Sequence, residues 1–167
     1  MLAEANPNAY LSDLAASSNN QSNRLSEVGR REEGLAAIEE ATEIRRALAE
    51  ANPDAYLPDL ANSLNNLSAS LGDVGRREEG LAAIKEATSH YRVLAEANPD
   101  AYLPDLATFL NNLGIQLGEV GQREEGLAAV EEATEILRTL ATAHPTIYEA
   151  DLRQSLEVAA WLETLGQ

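Results

Sequence analysis

Three Glu-Glu pairs, at positions 32–33, 78–79 and 124–125, are the first candidates for chemistry in this sequence. Paired carboxylates can act as general acid and general base. These pairs recur at one fixed spacing, however, and we expect an active site to occur once in a chain. Each pair also opens a helical pattern, where a carboxylate stabilises the positive end of the helix dipole by about 0.3–1 kcal/mol. The pairs therefore predict helix starts and not an active site.

The remaining reactive side chains form no catalytic or metal-binding motif. His90 and His144 lie far apart, and neither follows a glutamate at the spacing Glu-x-x-His. The segment Gly-Arg-Arg-Glu-Glu-Gly lacks the lysine and the hydroxyl residue of a phosphate-binding loop. The chain has no cysteine, which excludes disulfides and thiolate metal sites. We predict a protein that is not an enzyme and that uses neither a cofactor nor a metal ion.

The composition narrows the class of partner. A net charge of −16 argues against nucleic acid, because phosphates require clustered lysine and arginine. This charge is typical of a solvated acidic surface, and attraction to a basic partner is the alternative. No run of 18 apolar residues could cross a membrane, and the N-terminus does not have the pattern of a signal peptide. We therefore predict a cytoplasmic protein with no nucleic-acid partner and no membrane contact.

The spacing of glycines shows that the chain is repetitive. Two sets of three glycines each recur every 46 residues: Gly29, Gly75 and Gly121, and Gly34, Gly80 and Gly126. Self-similarity with a period of about 20–50 residues indicates a stacked repeat array. We predict one domain over residues 1–167, with repeats at about 8–53, 54–99 and 100–145. A capping helix at about 147–165 aligns with the first part of a repeat and places Trp161 at the position of Ile115.

Each repeat contains two helical patterns joined by a glycine. The first pattern of repeat 2 has apolar residues at alternating spacings of four and three, which is one face of an α-helix: Leu60, Leu64, Leu67, Leu71 and Val74. Pro58 and Pro104 precede the stripes and predict helix starts near those residues, with residues 54–57 as a turn or a short helical lead-in. Gly75 predicts the end of the first helix.

Repeat 1 departs from this pattern. Ser18 and Gln21 replace leucines of the later repeats. Residues 12–28 are therefore predicted to form the least stable helix, a polar cap, or a helix ordered by another chain. Residues 2–10 repeat the linker found at 48–56, which predicts that the chain opens on the tail of a preceding helix. We expect a fragment cut from a longer array, and the alternative is a natural short protein that begins out of phase with the repeat.

The paired helical patterns resemble the tetratricopeptide repeat, a helix-turn-helix unit of about 34 residues. The matching residues are Leu64, Leu67, Ser68, Leu71, Gly75, Gly80, Ile84 and Ala87 in repeat 2, and Leu110, Leu113, Gly114, Leu117, Gly121, Gly126, Val130 and Ala133 in repeat 3. The Leu-Asn-Asn-Leu stretch is similar to the long-period variant of kinesin light chains and of bacterial tetratricopeptide arrays. The resemblance implies an all-α, right-handed α-solenoid of antiparallel helix pairs. The longer period and Gly80, where the family usually has alanine, depart from the family pattern.

The resemblance also implies that a peptide binds in a concave groove lined by the first helices. The implied contact residues are Asn19, Asn23, Asn62, Asn65, Asn66, Ala69, Asp73, Thr108, Asn111, Asn112, Ile115 and Glu119. Asparagine amides can both donate to and accept from a peptide main chain. The alternative is that one asparagine of each pair bonds to a neighbouring helix. Two other functions remain open, namely self-association through the repeat edges and service as the docking or sensor part of a larger bacterial signalling enzyme.

Overall fold

The computed structural model describes residues 7–166, and this part of the chain consists of α-helices without any strand. The helices are α1 Pro7–Glu27, α2 Arg31–Ala51, α3 Pro53–Asp73, α4 Arg77–Ala97, α5 Pro99–Glu119, α6 Arg123–Ala143 and α7 Pro145–Thr164. The predicted all-α class is confirmed. Residues 2–6, predicted as the tail of a preceding helix, lie outside the described residues.

The helices reproduce the 46-residue period of the sequence. First helices begin at Pro7, Pro53, Pro99 and Pro145, each 46 residues after the one before. The starts predicted near Pro58 and Pro104 are therefore wrong by five residues. Proline at the first helical position loses no hydrogen bond, whereas Pro58 within α3 removes only the bond to the carbonyl of residue 54. That carbonyl lies in an exposed first turn, where water can replace the missing donor.

The first helices α1, α3 and α5 each end two residues before a glycine with a positive φ, as predicted. The values of φ are +80° at Gly29, +84° at Gly75 and +82° at Gly121. At the first of these turns, the amide of Arg30 donates to the carbonyl of Leu25 over 2.8 Å. This bond and the one from Gly29 to Ser26 satisfy the last carbonyls of α1 in a Schellman motif. The second helix can then start after only three connecting residues, antiparallel to the first.

The chain packs as two compact units, Met1–Ala87 and Thr88–Gln167, here called the N-terminal unit and the C-terminal unit. The core of the N-terminal unit contains residues from α1, α2 and α3, namely Ala15, Leu35, Ile38, Ala41 and Leu71. In the C-terminal unit, Leu110, Val130 and Leu162 are fully buried. The ring of Tyr91 in that unit lies 4.3 Å from the ring of Phe109, measured between centroids.

Small residues allow the paired helices to approach closely. A Cβ atom added to Gly34 would lie 2.9 Å from Ser26 Oγ, and one added to Gly126 would lie 3.0 Å from the carbonyl oxygen of Gly114. Both distances are shorter than nearly all contacts that real Cβ atoms make. Gly34 and Gly126, which occupy the same repeat position as Gly80, therefore pack directly against the first helix of their own repeat.

The polar residues of α1 lie mainly on its outer side. Ser17, Gln21 and Arg24 are exposed, whereas Leu67, the equivalent of Gln21, packs against the core of α1 and α2. Ser18 is buried despite its hydroxyl group. The outer side of α1 has no preceding helix among the described residues, so polar side chains there remain hydrated. That α1 is the least stable helix stays a prediction.

Candidate functional site

Predicted contact residues from two successive first helices meet in the N-terminal unit. The Asn66 Nδ2 atom of α3 donates to the Asn19 Oδ1 atom of α1 over 2.9 Å, and both side chains are half-buried. The second asparagine of one repeat thus contacts the first asparagine of the preceding repeat. This bond matches the alternative reading of the asparagine pairs, and it also shows that neighbouring positions of the asparagine pairs of α1 and α3 converge on one side.

The predicted residues of α3 share one side of that helix. Asn62, Asn66, Ala69 and Asp73 follow one another at spacings of four, three and four, as one face of a helix requires. Asn62, Ala69 and Asp73 are exposed, and Asn65 beside them is half-buried. With Asn19 and the exposed Asn23 of α1, these residues form what we call the first-helix face of the N-terminal unit. Its amides can donate to and accept from the main chain of a peptide.

Asn111 in the C-terminal unit takes part in a buried hydrogen-bond network. Its side chain is 8% exposed, and its Oδ1 atom accepts from Ser155 Oγ of α7 over 2.8 Å. Ser155 Oγ lies 2.9 Å from Thr134 Oγ1 of α6. The hydroxyl of Thr134 also donates to the carbonyl of Val130 over 2.8 Å. The amide oxygen of Asn111 therefore holds α7 against α5.

The other predicted residues of α5 are more accessible. Thr108 and Glu119 are exposed, while Asn112 and Ile115 are half-buried. The hydroxyl of Thr108 donates to the carbonyl of Pro104 over 3.3 Å. These four residues form the first-helix face of the C-terminal unit, and Asn111 is buried beneath it. It carries fewer accessible amides than the face of the N-terminal unit, and it has an apolar centre at Ile115.

A cavity that the sequence did not predict opens beside Ile115. It has a volume of about 280 Å³, and it is lined by Ile115 of α5 and by Gln154, Glu157, Val158 and Trp161 of α7. Trp161 lies 46 residues after Ile115, so the shared repeat position was visible in the sequence. The sequence predicted α7 as a capping helix, but the contact between its inner side and α5 depends on tertiary packing.

Ion pairs run along the second helices, away from the first-helix faces. Arg46 pairs with Glu86 in the N-terminal unit, and Arg92 pairs with Glu132 in the C-terminal unit. Both partners recur after 46 residues. The hydrogen bond with the glutamate raises the pKa of Arg46, and the same cause raises the pKa of Arg92. These guanidinium groups are thus already paired with carboxylates of the same chain.

Residues 7–166 contain neither a metal-binding cluster nor a membrane-spanning helix. This range contains no cluster of three or more His, Asp or Glu side chains that could hold a metal ion. None of the helices described in it is both long and apolar enough to cross a membrane.

No protein-family model matches the chain, and no curated protein matches its sequence. Among solved structures, it is similar to the crystal structure of BtubC (BKLC) from P. vanneervenii, with 18% identity and a TM-score of 0.75. The match covers 93% of this chain but 57% of the other, so this chain spans little more than half of that protein. At this identity the likeness shows the fold alone, a helical repeat of the tetratricopeptide type arranged as an α-solenoid. The long-period variant stays a prediction.

Two structures of MamA also match, one from AMB-1 and one of an RS-1 double mutant. Their identities are 13% and 16%, and the matches cover 90% and 92% of this chain and 92% and 95% of theirs. The TM-scores of 0.35 and 0.27 are too low to carry a structural argument.

Proposed function

We propose that the protein is a non-catalytic scaffold that binds an extended peptide or protein segment on its first-helix faces. The observation that carries this proposal is the bond between Asn66 and Asn19, which joins equivalent sides of two first helices. Packed helices lie about 8–10 Å apart, and an extended chain rises about 3.3 Å per residue. Successive first helices can therefore meet about every third residue of an extended peptide.

The chemistry of the faces supports a main-chain binding mode. An amide offers two donors and an acceptor, which suits a peptide backbone of any sequence. In the N-terminal unit, these amides stand beside the exposed methyl group of Ala69 and the carboxylate of Asp73. The residues that define the two faces include no lysine or arginine, so a peptide carboxylate finds no cation among them. We infer that the faces bind internal segments in preference to a free C-terminus.

We expect Asn23→Ala and Asn62→Ala each to weaken peptide binding by about two- to tenfold, because each removes hydrogen bonds worth about 0.5–1.5 kcal/mol. A random library of extended peptides on beads would supply the ligands, and titration calorimetry would measure their dissociation constants. Glu40→Ala is the matched control, since Glu40 is exposed on the second helix α2. Ligands that bind all three variants equally would show that the first-helix face is not the site, and a library without ligands would refute the proposed function.

Self-association is the second candidate, and one observation favours it. Leu156 of α7 occupies the repeat position at which Leu64 and Leu110 are buried, yet it is 44% exposed. Another copy of the chain could cover this side of α7. Light scattering over a range of concentrations should then show a species heavier than 17.9 kDa, and Leu156→Gln should reduce it. A constant mass near that value would refute this candidate. Service as the docking or sensor part of a larger signalling enzyme stays a prediction.

A further inference from the structure

The cavity between α5 and α7 is a shallow depression that is wide open to solvent and has room for one side chain. Its volume of about 280 Å³ lies just below the range of about 300–1,000 Å³ typical of small-molecule sites. Ile115, Val158 and Trp161 give it apolar walls. A large aliphatic or aromatic side chain, inserted from a bound segment, would place apolar surface against these three residues and remove it from water.

The indole ring of Trp161 is held in place by a glycine. A Cβ atom added to Gly118 would lie 2.7 Å from Cη2 and 2.8 Å from Cζ3 of Trp161, so the ring packs directly on the backbone of α5. A larger residue at position 118 would displace the ring. Rigid aromatic side chains are favoured as binding anchors, because little conformational freedom is lost when a partner packs on them.

The rim of the cavity is acidic. Glu157 lines it directly, and Glu119 lies one helical turn beyond Ile115 on the same side of α5. Among the described residues, neither carboxylate takes part in an ion pair. Residues 88–167 carry thirteen carboxylates and only four lysine or arginine side chains. Two of these four cationic side chains already have partners within the chain, since Arg92 pairs with Glu132 and Arg123 donates to the carbonyl of Leu162.

We propose that this cavity selects peptide segments in which a large apolar residue is flanked by lysine or arginine. The apolar side chain enters between Ile115 and Trp161, and the flanking cations lie against Glu119 and Glu157. A cation can in addition pack on the face of the indole ring. This inference rests on the proposed function, because it assigns the sequence preference of the segment that the first-helix face holds.

Trp161 is the single tryptophan of the chain, so its fluorescence reports on the cavity directly. The probes are three capped peptides of about seven residues: Lys-Ala-Lys-Phe-Lys-Ala-Lys, the same peptide with glutamate in place of lysine, and the same peptide with a central alanine. We expect a saturable change in emission with the first peptide, which weakens as salt is added. The other two should bind at least about tenfold more weakly. Equal titration curves for all three peptides would overturn the inference.

Matched variants of the full chain test separately how the charges and the apolar wall contribute to peptide binding. Glu157→Gln should weaken binding of the lysine peptide by about fivefold, whereas Glu135→Gln, on an exposed position of α6, should leave it unchanged. Val158→Asn gives α7 the residue found at the equivalent positions 66 and 112, and it should weaken binding by about tenfold. Far-ultraviolet circular dichroism would verify that each variant is folded. If Val158→Asn is not, Ile115→Ala, which introduces the residue found at position 69, tests the same wall.

The outcomes distinguish this inference from the proposed function. If library peptides respond to Asn23→Ala but not to Glu157→Gln or Val158→Asn, and leave the emission of Trp161 unchanged, the inference fails and the proposed function stands. If no peptide binds in either experiment, both fail. If the lysine peptide binds and responds to Glu157→Gln while library binding ignores the asparagine variants, the cavity is confirmed and the amide binding mode is refuted.

Discussion

Replacing Leu110 with alanine is expected to lower the free energy of unfolding by about 2–5 kcal/mol. Leu110 lies on α5 in the core of the C-terminal unit, and its side chain is 0% exposed. Truncation removes buried methyl groups and leaves a cavity, which neighbouring helices fill only partly because interiors are closely packed. Urea denaturation followed by the fluorescence of Trp161, which belongs to the same compact unit, would measure the change.

The control for this prediction is Leu156→Ala, the same substitution 46 residues later. Leu156 occupies the equivalent position of α7 but is 44% exposed. We therefore expect this substitution to lower the free energy of unfolding by no more than about 0.5–1 kcal/mol. Leu67, which is half-buried, should give an intermediate value. Equal losses for Leu110→Ala and Leu156→Ala would contradict the burial described here, and they would indicate that a partner covers the outer side of α7.

Replacing Gly114 with alanine is expected to destabilise the protein by about 1–3 kcal/mol, the usual result of overpacking. The new Cβ would lie 2.3 Å from Cγ2 of Val130 and 3.1 Å from the carbonyl oxygen of Gly126. A valine in a helix has one strongly preferred rotamer, so its methyl group cannot easily move away. The helix propensity of alanine, about 1 kcal/mol better than that of glycine, offsets only part of this clash.

Two further variants show whether the clash is the cause. Ser68 is the equivalent of Gly114 in α3 and already carries a Cβ atom, so Ser68→Ala should change stability by less than about 1 kcal/mol. The double variant Gly114→Ala with Val130→Ala should lose less than the sum of the two single changes, because the methyl group that clashes is gone. If Gly114→Ala has a higher melting temperature than the parent protein, the clash with Val130 is not the explanation.

The sequence by itself determined the features that depend on short-range interactions. Gly29, Gly75 and Gly121 end the first helices as predicted, because a left-handed residue after a helix is favoured by the glycine alone. The 46-residue period and the paired helices were likewise visible, because apolar residues at spacings of three and four mark one helix face wherever it occurs. The prediction failed at Pro58, since the chain contains a second proline, Pro53, that suits the first helical turn better.

The tertiary structure alone decided which equivalent residues have equivalent roles. Asn19 and Asn111 occupy the same repeat position, yet the first bonds to Asn66 at a half-exposed site and the second is buried against Ser155. Which side chain a residue meets depends on the helix packed beside it, and that helix comes from a distant part of the sequence.

The packing of distant helices also decides which residues of one repeat contact residues of the next repeat. Arg45 of α2 donates to Ser63 Oγ over 2.7 Å, while the residues 46 positions later, Tyr91 and Phe109, pack as aromatic rings. The sequence aligns these positions, but only the packing of the helices shows that they are in contact. The cavity beside Trp161 follows the same rule. Its walls come from α5 and α7, which touch only after the chain has folded. The sequence alone did not predict it, because burial depends on neighbours that are distant in sequence.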